Sequence, residues 1–310
     1  MQAYIVSRLI TAVWVIAGLT SLVFFLIHWV PGDPVEVMLG ESAAAADRAA
    51  LRHALGLDQP LLQQWGAFLS GVVQLDLGTS LYERQPVLEL LQARYPATLE
   101  LAALAFLIAF LIAVPMGVLA AARRGTGWDA GAMGFSLLGV SIPNFWLGPL
   151  LVMLFSVTLG WFPVSGRSGP LSLVLPAVTL GTALAAILSR MVRSSLLEVL
   201  GEDYIRTARA KGLSPLRVLV RHGLRNAWLP VLTVLGMQLG ALLGGAVVTE
   251  TVFNWPGIGS LLVESIQRRD YPVVQGCVLM ISLCYVAINL VTDLLYAWVD
   301  PRVRLGYGRD

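Results

Sequence analysis

The chain has 310 residues and a formal net charge of +2; 57% of its residues are hydrophobic and only 13% are charged. Soluble domains hold roughly a quarter charged and about 45–50% apolar residues, and the mean hydropathy here is +0.75. This composition excludes an ordinary soluble protein and predicts an integral membrane protein.

Six apolar segments are each long enough for a spanning helix, which needs about 20 mostly apolar residues. The first follows Arg8 and could be mistaken for a secretory signal, but it is too long and lacks a small-residue cleavage site, so we expect an uncleaved span within residues 1–30. The predicted fold class is therefore all-α and polytopic, with spans at about 9–30, 99–121, 131–160, 172–193, 229–250 and 273–297.

The stretch between the first two spans, residues 31–98, is predicted to be a small external subdomain. Turn-forming residues divide it at 31–34 (Pro-Gly-Asp-Pro), at 56–58 (Gly-Leu-Asp) and at Gly78. We therefore expect short helices joined by turns in a solvated cap, and a core transmembrane domain over residues 99–297.

The third apolar segment is longer than one span requires and contains Pro143, which has no backbone donor. We expect either a kink near residues 141–144 or a short cytoplasmic helix before the span. In the sixth segment, Cys277 and Cys284 lie about 10 Å apart along a helix, so both are interpreted as packing residues without a disulfide.

The basic residues predict the orientation. With the N-terminus inside, and with Arg190 and Arg193 at the end of the fourth span included, 14 of the 21 basic residues lie on the cytoplasmic side. Four of the other seven lie in the 31–98 loop, which translocates largely regardless of charge. Both termini are therefore expected in the cytoplasm, with cytoplasmic pieces at 1–8, 122–130, 194–228 and 298–310.

The 194–228 loop carries the clearest local signals. Glu202 and Asp203 favour the start of a short helix, and Arg209 and Lys211 favour its end, because carboxylates and cations are stabilised at those two ends of the helix dipole. Gly212 fits a left-handed helix cap. Residues 214–215 (Ser-Pro) are typical of the start of a second helix.

Small residues occur on both the loop and the fifth span. Ala208 and Ala210 are expected to let another protein approach the loop closely. In the fifth span, Gly236, Gly240 and Gly244 repeat every four residues and Gly245 widens the face. Such a face indicates either close packing against a neighbouring span or a substrate-passing surface against a partner subunit.

Ionisable residues near the membrane are candidates for function. Glu100 and Glu250 lie at outer span ends, where we expect their carboxylates to reach water, with a contact to a solute in a pathway as the alternative. Asp293 is expected to pair with a cytoplasmic-side arginine or to help position the loop. Trp255 lies in the outer turn 254–257 and is interpreted as an interfacial anchor, with a gate beneath an external protein as the alternative.

The sequence lacks the residues that several kinds of chemistry require. A phosphate-binding P-loop needs a lysine in a G-x-x-x-x-G-K-[ST] sequence, and Lys211, the only lysine, lies in Ala-Lys-Gly. The three histidines (His28, His53 and His222) fall in separate regions and predict no metal site. No catalytic residues and no bound cofactor are predicted for this chain.

Residues 202–214 (EDYIRTARAKGLS) resemble the cytoplasmic loop of bacterial ABC-importer permeases, with Gly212 at its fixed glycine. The match is closer still to the permeases for oligopeptides, dipeptides, glutathione and nickel. Further blocks in the same order extend the resemblance along the chain: PGDPVEVMLG (31–40), LGLDQPL (55–61), DLGTSL (76–81), PATLEL (96–101), SIPNFWLG (141–148), FPVSGR (162–167), HGLRNAWLPVLT (222–233), NWPGIG (254–259) and RRDYPVVQ (268–275).

This resemblance implies the transmembrane-domain fold of type I importers. It implies a heterodimer with a second permease, one or two kinds of ATPase subunit that hold ATP and Mg, an external solute-binding protein, the lipid bilayer, and no nucleic acid. The ATPase-coupling residues that it implies are Glu202, Asp203, Tyr204, Ile205, Arg206, Thr207, Ala208, Ala210, Lys211 and Gly212.

The substrate stays open at this point. Some dipeptide permeases carry an insertion after FPVSGR, whereas this chain reaches residue 175 soon after residue 167. Small peptides or peptide-like solutes are favoured over nickel or another metal chelate because no cluster of metal ligands is present. A stand-alone secondary transporter or channel is the alternative from another class. Such proteins normally have a series of ionisable residues near the membrane midplane, or broken-helix repeats in two halves, and this sequence shows neither.

Overall fold

The computed structural model describes residues 2–29, 35, 39, 44–54 and 56–299. The predicted turn at 31–34, most of the 31–40 block and the tail from residue 300 lie outside this part of the chain. Within it, five helices are long and apolar enough to cross a membrane, or six when one bent pair is counted as a span.

The N-terminal third begins with α1 (Gln2–Trp29), followed by two short helices, α2 (Ala45–Ala54) and α3 (Leu61–Val73). Gly56 and Gly78 have φ values of 67° and 79°, so both predicted turns use a backbone conformation that glycine adopts without a steric penalty. Trp65 of α3 donates a hydrogen bond to Ser21 of α1 over 3.1 Å. The expected short helices joined by turns are thus present in the described part of 31–98.

The second span is the helix α4 (Val87–Ala122), which starts well before the predicted residue 99 and contains Pro96 and Pro115. It is followed by α5 (Gly127–Ser141) and by α6 (Asn144–Leu151), which continues as a π-helical turn over Val152–Thr158. The two parts of this third segment meet at an angle of 105°. Pro143 explains the break, since the residue before it, Ile142, is extended (φ −88°, ψ 114°) as prolines require.

The C-terminal half contains the remaining spans. A 3₁₀ turn (Pro170–Leu173) leads into α7 (Val174–Leu200), then α8 (Asp203–Ala210) and α9 (Pro215–Arg217). A π-helical segment (Val218–Leu224) continues into α10 (Arg225–Val252), and α11 (Ile258–Gln267) and α12 (Tyr271–Val299) complete the described chain.

The centre of the bundle is the contact between α4 and α7. Buried small or apolar residues recur every four positions along α4, which places them on one face, and a Cβ added at Gly181 of α7 would lie 2.7 Å from the carbonyl oxygen of Ala105. Small residues therefore let the two backbones approach closely, as membrane helices commonly do. The α4 face consists of Ala97, Leu101, Ala105, Ala109, Ala113, Gly117 and Ala121.

The bundle has two distinct ends. At the loop end, Ala121, Leu196 and Ala227 form one cluster, next to the connection from α7 to α8. At the far end, the first turns of α4 pack against α11 and the start of α12 in a second cluster. The candidate sites below lie at one end or the other.

Candidate functional site

The loop between α7 and α10 has the local structure that the sequence predicted. Glu202 is the extended N-cap of α8 and Lys211 follows its last residue. Gly212 adopts φ 76° and donates from its N–H to the carbonyl of Arg209 over 2.9 Å. Ser214 occupies the N-cap position of α9, although its side chain forms no capping hydrogen bond.

The inner face of α8 packs against its own chain. Ile205 is fully buried and Ala208 is 6% exposed, and both contact Val218 in the segment that leads into α10. The expectation that Ala208 offers close approach to another protein is therefore wrong, because its methyl group is covered from within. Ala210, by contrast, is exposed.

The outer face of α8 is exposed. Its exposed residues are polar or small, and exposed Leu216 of α9 adds an apolar group with 70% of its surface accessible. The sequence analysis did not single out Leu216, because the motif that resembles the permease loop, residues 202–214, ends before it. The outer face consists of Arg206, Thr207, Arg209, Ala210 and Lys211.

A hydrogen bond attaches α8 to the start of α10. The side-chain amide of Asn226 donates to the Tyr204 hydroxyl over 2.7 Å. Together with the buried contacts of Ile205, this bond holds the loop against the fifth span. Thus α8 is attached both to α10 and to the segment that leads into it.

A second attachment joins the same end of the bundle to the bent third segment. Arg193 of α7 donates to both carboxylate oxygens of Asp129 on α5, over 2.6 and 2.8 Å. Asp129 is 6% exposed and also accepts the N–H of Gly125. Such bidentate, charge-assisted bonds are geometrically specific, and nothing in the sequence indicated this pair, whose members are 64 residues apart.

The predicted glycine face of α10 divides into two parts. A Cβ at Gly236 would overlap Thr292, and one at Gly240 would overlap the ring of Tyr285, so these two glycines permit close packing against α12. Gly244 has no atom within 4 Å of such a Cβ and is exposed. Gly245 points toward Leu180 of α7. The packing interpretation therefore fits Gly236 and Gly240, against α12, and Gly245, against α7, but not Gly244.

Glu250 corrects one expectation. Its carboxylate does not reach water: the residue has no exposed surface. It accepts hydrogen bonds from the Thr98 hydroxyl over 2.6 Å and from the Ser260 N–H over 3.0 Å, while Thr98 in turn accepts the N–H of Ile258. A side chain at Gly257 would overlap the carboxylate, so α11 folds directly over it.

Trp255 corrects a second expectation. It is 1% exposed, and its indole N–H donates to the carbonyl of Ala97 over 2.8 Å, so it is a core residue of the far end and not an interfacial anchor. Glu100 is close to solvent as expected, and it binds Arg167 over 2.7 and 2.9 Å. Asp293 pairs with Arg8 over 3.3 Å, as predicted.

The far end contains a further buried carboxylate that sequence reasoning missed. Asp270 is 3% exposed and lies between α11 and α12. It accepts hydrogen bonds from the Ser80 hydroxyl and from the N–H groups of Leu81 and Tyr82. Ser80 and Asp270 lie in blocks quoted above, 76–81 and 268–275, but the 190 residues between them hid the contact.

The cysteines have the packing role that the sequence predicted. Cys277 is buried at the far end, in the cluster formed by α4, α11 and α12, and Cys284 lies 3.5 Å from the Tyr95 hydroxyl. Both thiols are free.

The fold and its small-residue contacts define a class, the polytopic α-helical membrane proteins. Residues 113–305 match the family model described as the binding-protein-dependent transport system inner membrane component, and residues 1–102 match the model of its N-terminal region. The chain belongs to this family.

Similar proteins include a dipeptide and a glutathione transport permease. The chain is 46% identical to the dipeptide transport system permease protein DppB of Escherichia coli (strain K12) over 336 residues, covering 98% of this chain and 99% of the relative. It is 45% identical over 304 residues to the glutathione transport system permease protein GsiC of Salmonella typhi, with the same coverage.

Solved structures support the fold. The inward-facing MetNI methionine ABC transporter matches with a TM-score of 0.57 and 22% identity, covering 68% of this chain and 96% of that one. An amino acid ABC transporter with histidines matches with a TM-score of 0.51 and 17% identity, covering 69% and 94%. The predicted fold, the transmembrane domain of type I ABC importers, is confirmed.

Proposed function

We propose that this permease docks an ATPase subunit through the loop formed by α8, Gly212 and α9. The observation that carries the proposal is the two-sided loop, whose inner face is fixed to α10 while its outer face stays exposed. Movement of the ATPase would then pull α8, and with it α7 and α10, between inward-open and outward-open states.

The proposed orientation places the loop end and both termini in the cytoplasm. Arg8, Arg193 and the α8 loop lie at the same end, together with Asp129 and Asp293. An excess of arginine on the cytoplasmic side is the general pattern of membrane proteins. The far end, with Glu250 and Asp270, then faces outward from the inner membrane.

The proposed assembly has three further types of component. A second permease would complete the translocation pathway, and one or two kinds of ATPase subunit would hold ATP and Mg, since this sequence contains no P-loop lysine. An external solute-binding protein would deliver the substrate. This chain itself is proposed to bind no cofactor.

The proposed substrates are small peptides or peptide-like solutes. The alignment with the dipeptide permease spans 336 positions and therefore includes gaps in this chain, which has 310 residues. The alignment with the glutathione permease spans 304 positions. The relatives' names favour both substrate classes over the nickel alternative. Binding of di- and tripeptides, glutathione and nickel chelates to the cognate binding protein would discriminate among them, and tight binding of a nickel chelate alone would contradict the proposal.

Substitutions at Gly212 test the docking role. Its left-handed backbone costs about 1–2 kcal/mol for a residue with a Cβ, but asparagine visits this conformation readily. We expect Gly212→Val to lose most ATP-driven uptake and ATPase co-purification, and Gly212→Asn to retain both. Full uptake by a folded Gly212→Val complex, with folding checked by its elution volume, would contradict the docking role.

A further inference from the structure

The two short helices between the first two spans have opposite compositions. The helix α2 contains Asp47 in its first turn and Arg52 and His53 in its last. Residues 59–75, which include α3, contain no charged residue. A position in water suits the composition of α2, but it does not explain the composition of α3.

The apolar side chains of α3 lie on one side of the helix. At 3.6 residues per turn, Leu62, Trp65 and Val73 fall within about 80° of one another around the axis. The opposite side is exposed and carries polar or small residues, namely Gln63, Ala67 and Ser70. The helix is therefore amphipathic without being charged.

The apolar side of α3 packs against the membrane-spanning part of α1. Besides the hydrogen bond from Trp65 to Ser21, the Trp65 ring stacks on Phe25 with the ring centroids 6.4 Å apart. The ring of Phe68 lies 5.6 Å from that of Phe24. The apolar span of α1 ends at Phe25, so Ser21 lies about 6 Å inside that end. Trp65 of α3 is therefore at the depth of the span.

The rest of the apolar side has no cover from the described part of this chain. No residue of α3 is buried there, and Leu62 and Val73 are 72% and 84% exposed. The neighbouring surface of α1 is similar, since Trp14 and Leu22 are 74% and 54% exposed. A contiguous apolar surface of this kind marks a contact with protein or membrane, and its continuity with the spanning surface of α1 favours lipid.

We propose that α3 is embedded in the lipid bilayer, with Leu62 and Val73 among the acyl chains and Ala67 toward the headgroups. The 13 residues of α3 rise about 20 Å, too little to cross about 30 Å of hydrocarbon. An amphipathic helix of this length lies within one leaflet, where tryptophan is also favoured. This places α3 in the membrane and not in the solvated cap that the sequence predicted.

The leaflet is the one at the far end of the bundle, because α1 runs from the pair of Arg8 and Asp293 toward that end. Only the statement that this leaflet is the outer one rests on the proposed function. A water-soluble partner does not reach the depth of Ser21, whereas another membrane subunit does, so the experiment has to separate lipid from protein.

The test measures the depth of spin labels on the complete transporter in proteoliposomes. Leu62→Cys and Val73→Cys place the label on the apolar side, and Ala67→Cys, exposed and about 140° around the helix from Leu62, is the matched control. Val13→Cys on α1, 64% exposed, is the lipid-facing reference. Oxygen concentrates in lipid and chromium oxalate stays in water. We expect oxygen to relax the labels at 62 and 73 severalfold more than chromium oxalate does, as at 13, and the order to reverse at 67.

Labels at 62 and 73 that respond to chromium oxalate as strongly as the label at 67 would overturn the inference, because α3 would then lie in water. Protection of both positions from both reagents would overturn it too, since a protein subunit would then cover the apolar side. The chain with only Cys277 and Cys284 gives the background, and the elution volume checks assembly. Either position decides the outcome if the other variant does not assemble. Labels in lipid on a chain that binds no ATPase subunit would support this inference and contradict the proposed function.

Discussion

At the scale of single residues, Glu250 shows how a position in the sequence can mislead. It ends an apolar segment, where a carboxylate normally reaches water, yet the next fifteen residues turn back as α11 and cover it. Thr98 and Ser260 replace the lost hydration with hydrogen bonds of 2.6 and 3.0 Å. This closure depends on contacts across 152 residues, which no local pattern reports.

Removing the Glu250 carboxylate should destabilise the far end. Glu250→Ala leaves the buried hydroxyl of Thr98 and the N–H of Ser260 without their acceptor, at a cost of about 1–3 kcal/mol. Glu250→Gln keeps one acceptor oxygen and should cost less. Thermal unfolding in detergent measures both, and a melting temperature for Glu250→Ala equal to that of the unaltered protein would contradict the assigned role.

The structure of α8 was easier to predict from the sequence. Its start, its end and the left-handed Gly212 follow from local electrostatics and backbone sterics, which short-range patterns encode. The inward direction of Ile205 and Ala208 was also available, because residues three apart share a helix face. The hydrogen bond between Asn226 and Tyr204 was not, since it joins separate elements.

At the scale of elements, the interface of α4 with α7 is the main packing surface that the sequence interpretation overlooked. Buried residues of α4 repeat every four positions from 97 to 121, and all except Leu101 are alanine or glycine, the same signal that drew attention to Gly236 and Gly240. Alanine predominates on this face of α4, and because alanine is itself apolar, its regular spacing does not stand out in a segment that is apolar throughout. The bend at Pro143, in contrast, was predictable because proline affects the backbone locally.

The α4–α7 interface makes a specific prediction for Gly181. In Gly181→Ala the added methyl would lie 2.7 Å from the backbone oxygen of Ala105, which a side-chain rotation cannot relieve. We expect a loss of about 1–3 kcal/mol, measured as a lower melting temperature. Gly131→Ala on α5 has open space around the new methyl and should melt no lower than the unaltered protein; equal melting temperatures for the two variants would argue against close packing.

At the scale of the whole molecule, the two ends of the helix bundle are held together by different contacts. The loop end joins α8 to α10 through Tyr204 and joins α7 to α5 through the pair of Arg193 and Asp129. The far end is fixed by two buried carboxylates, Glu250 and Asp270. Hydropathy predicted the spans and the resemblance predicted the fold, but these four long-range attachments required the structure, since each joins residues distant in sequence.

The central claim is that the outer face of α8 contacts an ATPase subunit. Its most direct test is photo-crosslinking in the assembled transporter, with a benzophenone maleimide attached at Arg209→Cys. Val164→Cys, 52% exposed at the far end, is the matched control, and the chain with only Cys277 and Cys284 gives the background. We predict an ATPase adduct from position 209 and none from 164; an adduct from 164, or none from 209 in an active complex, would contradict the claim.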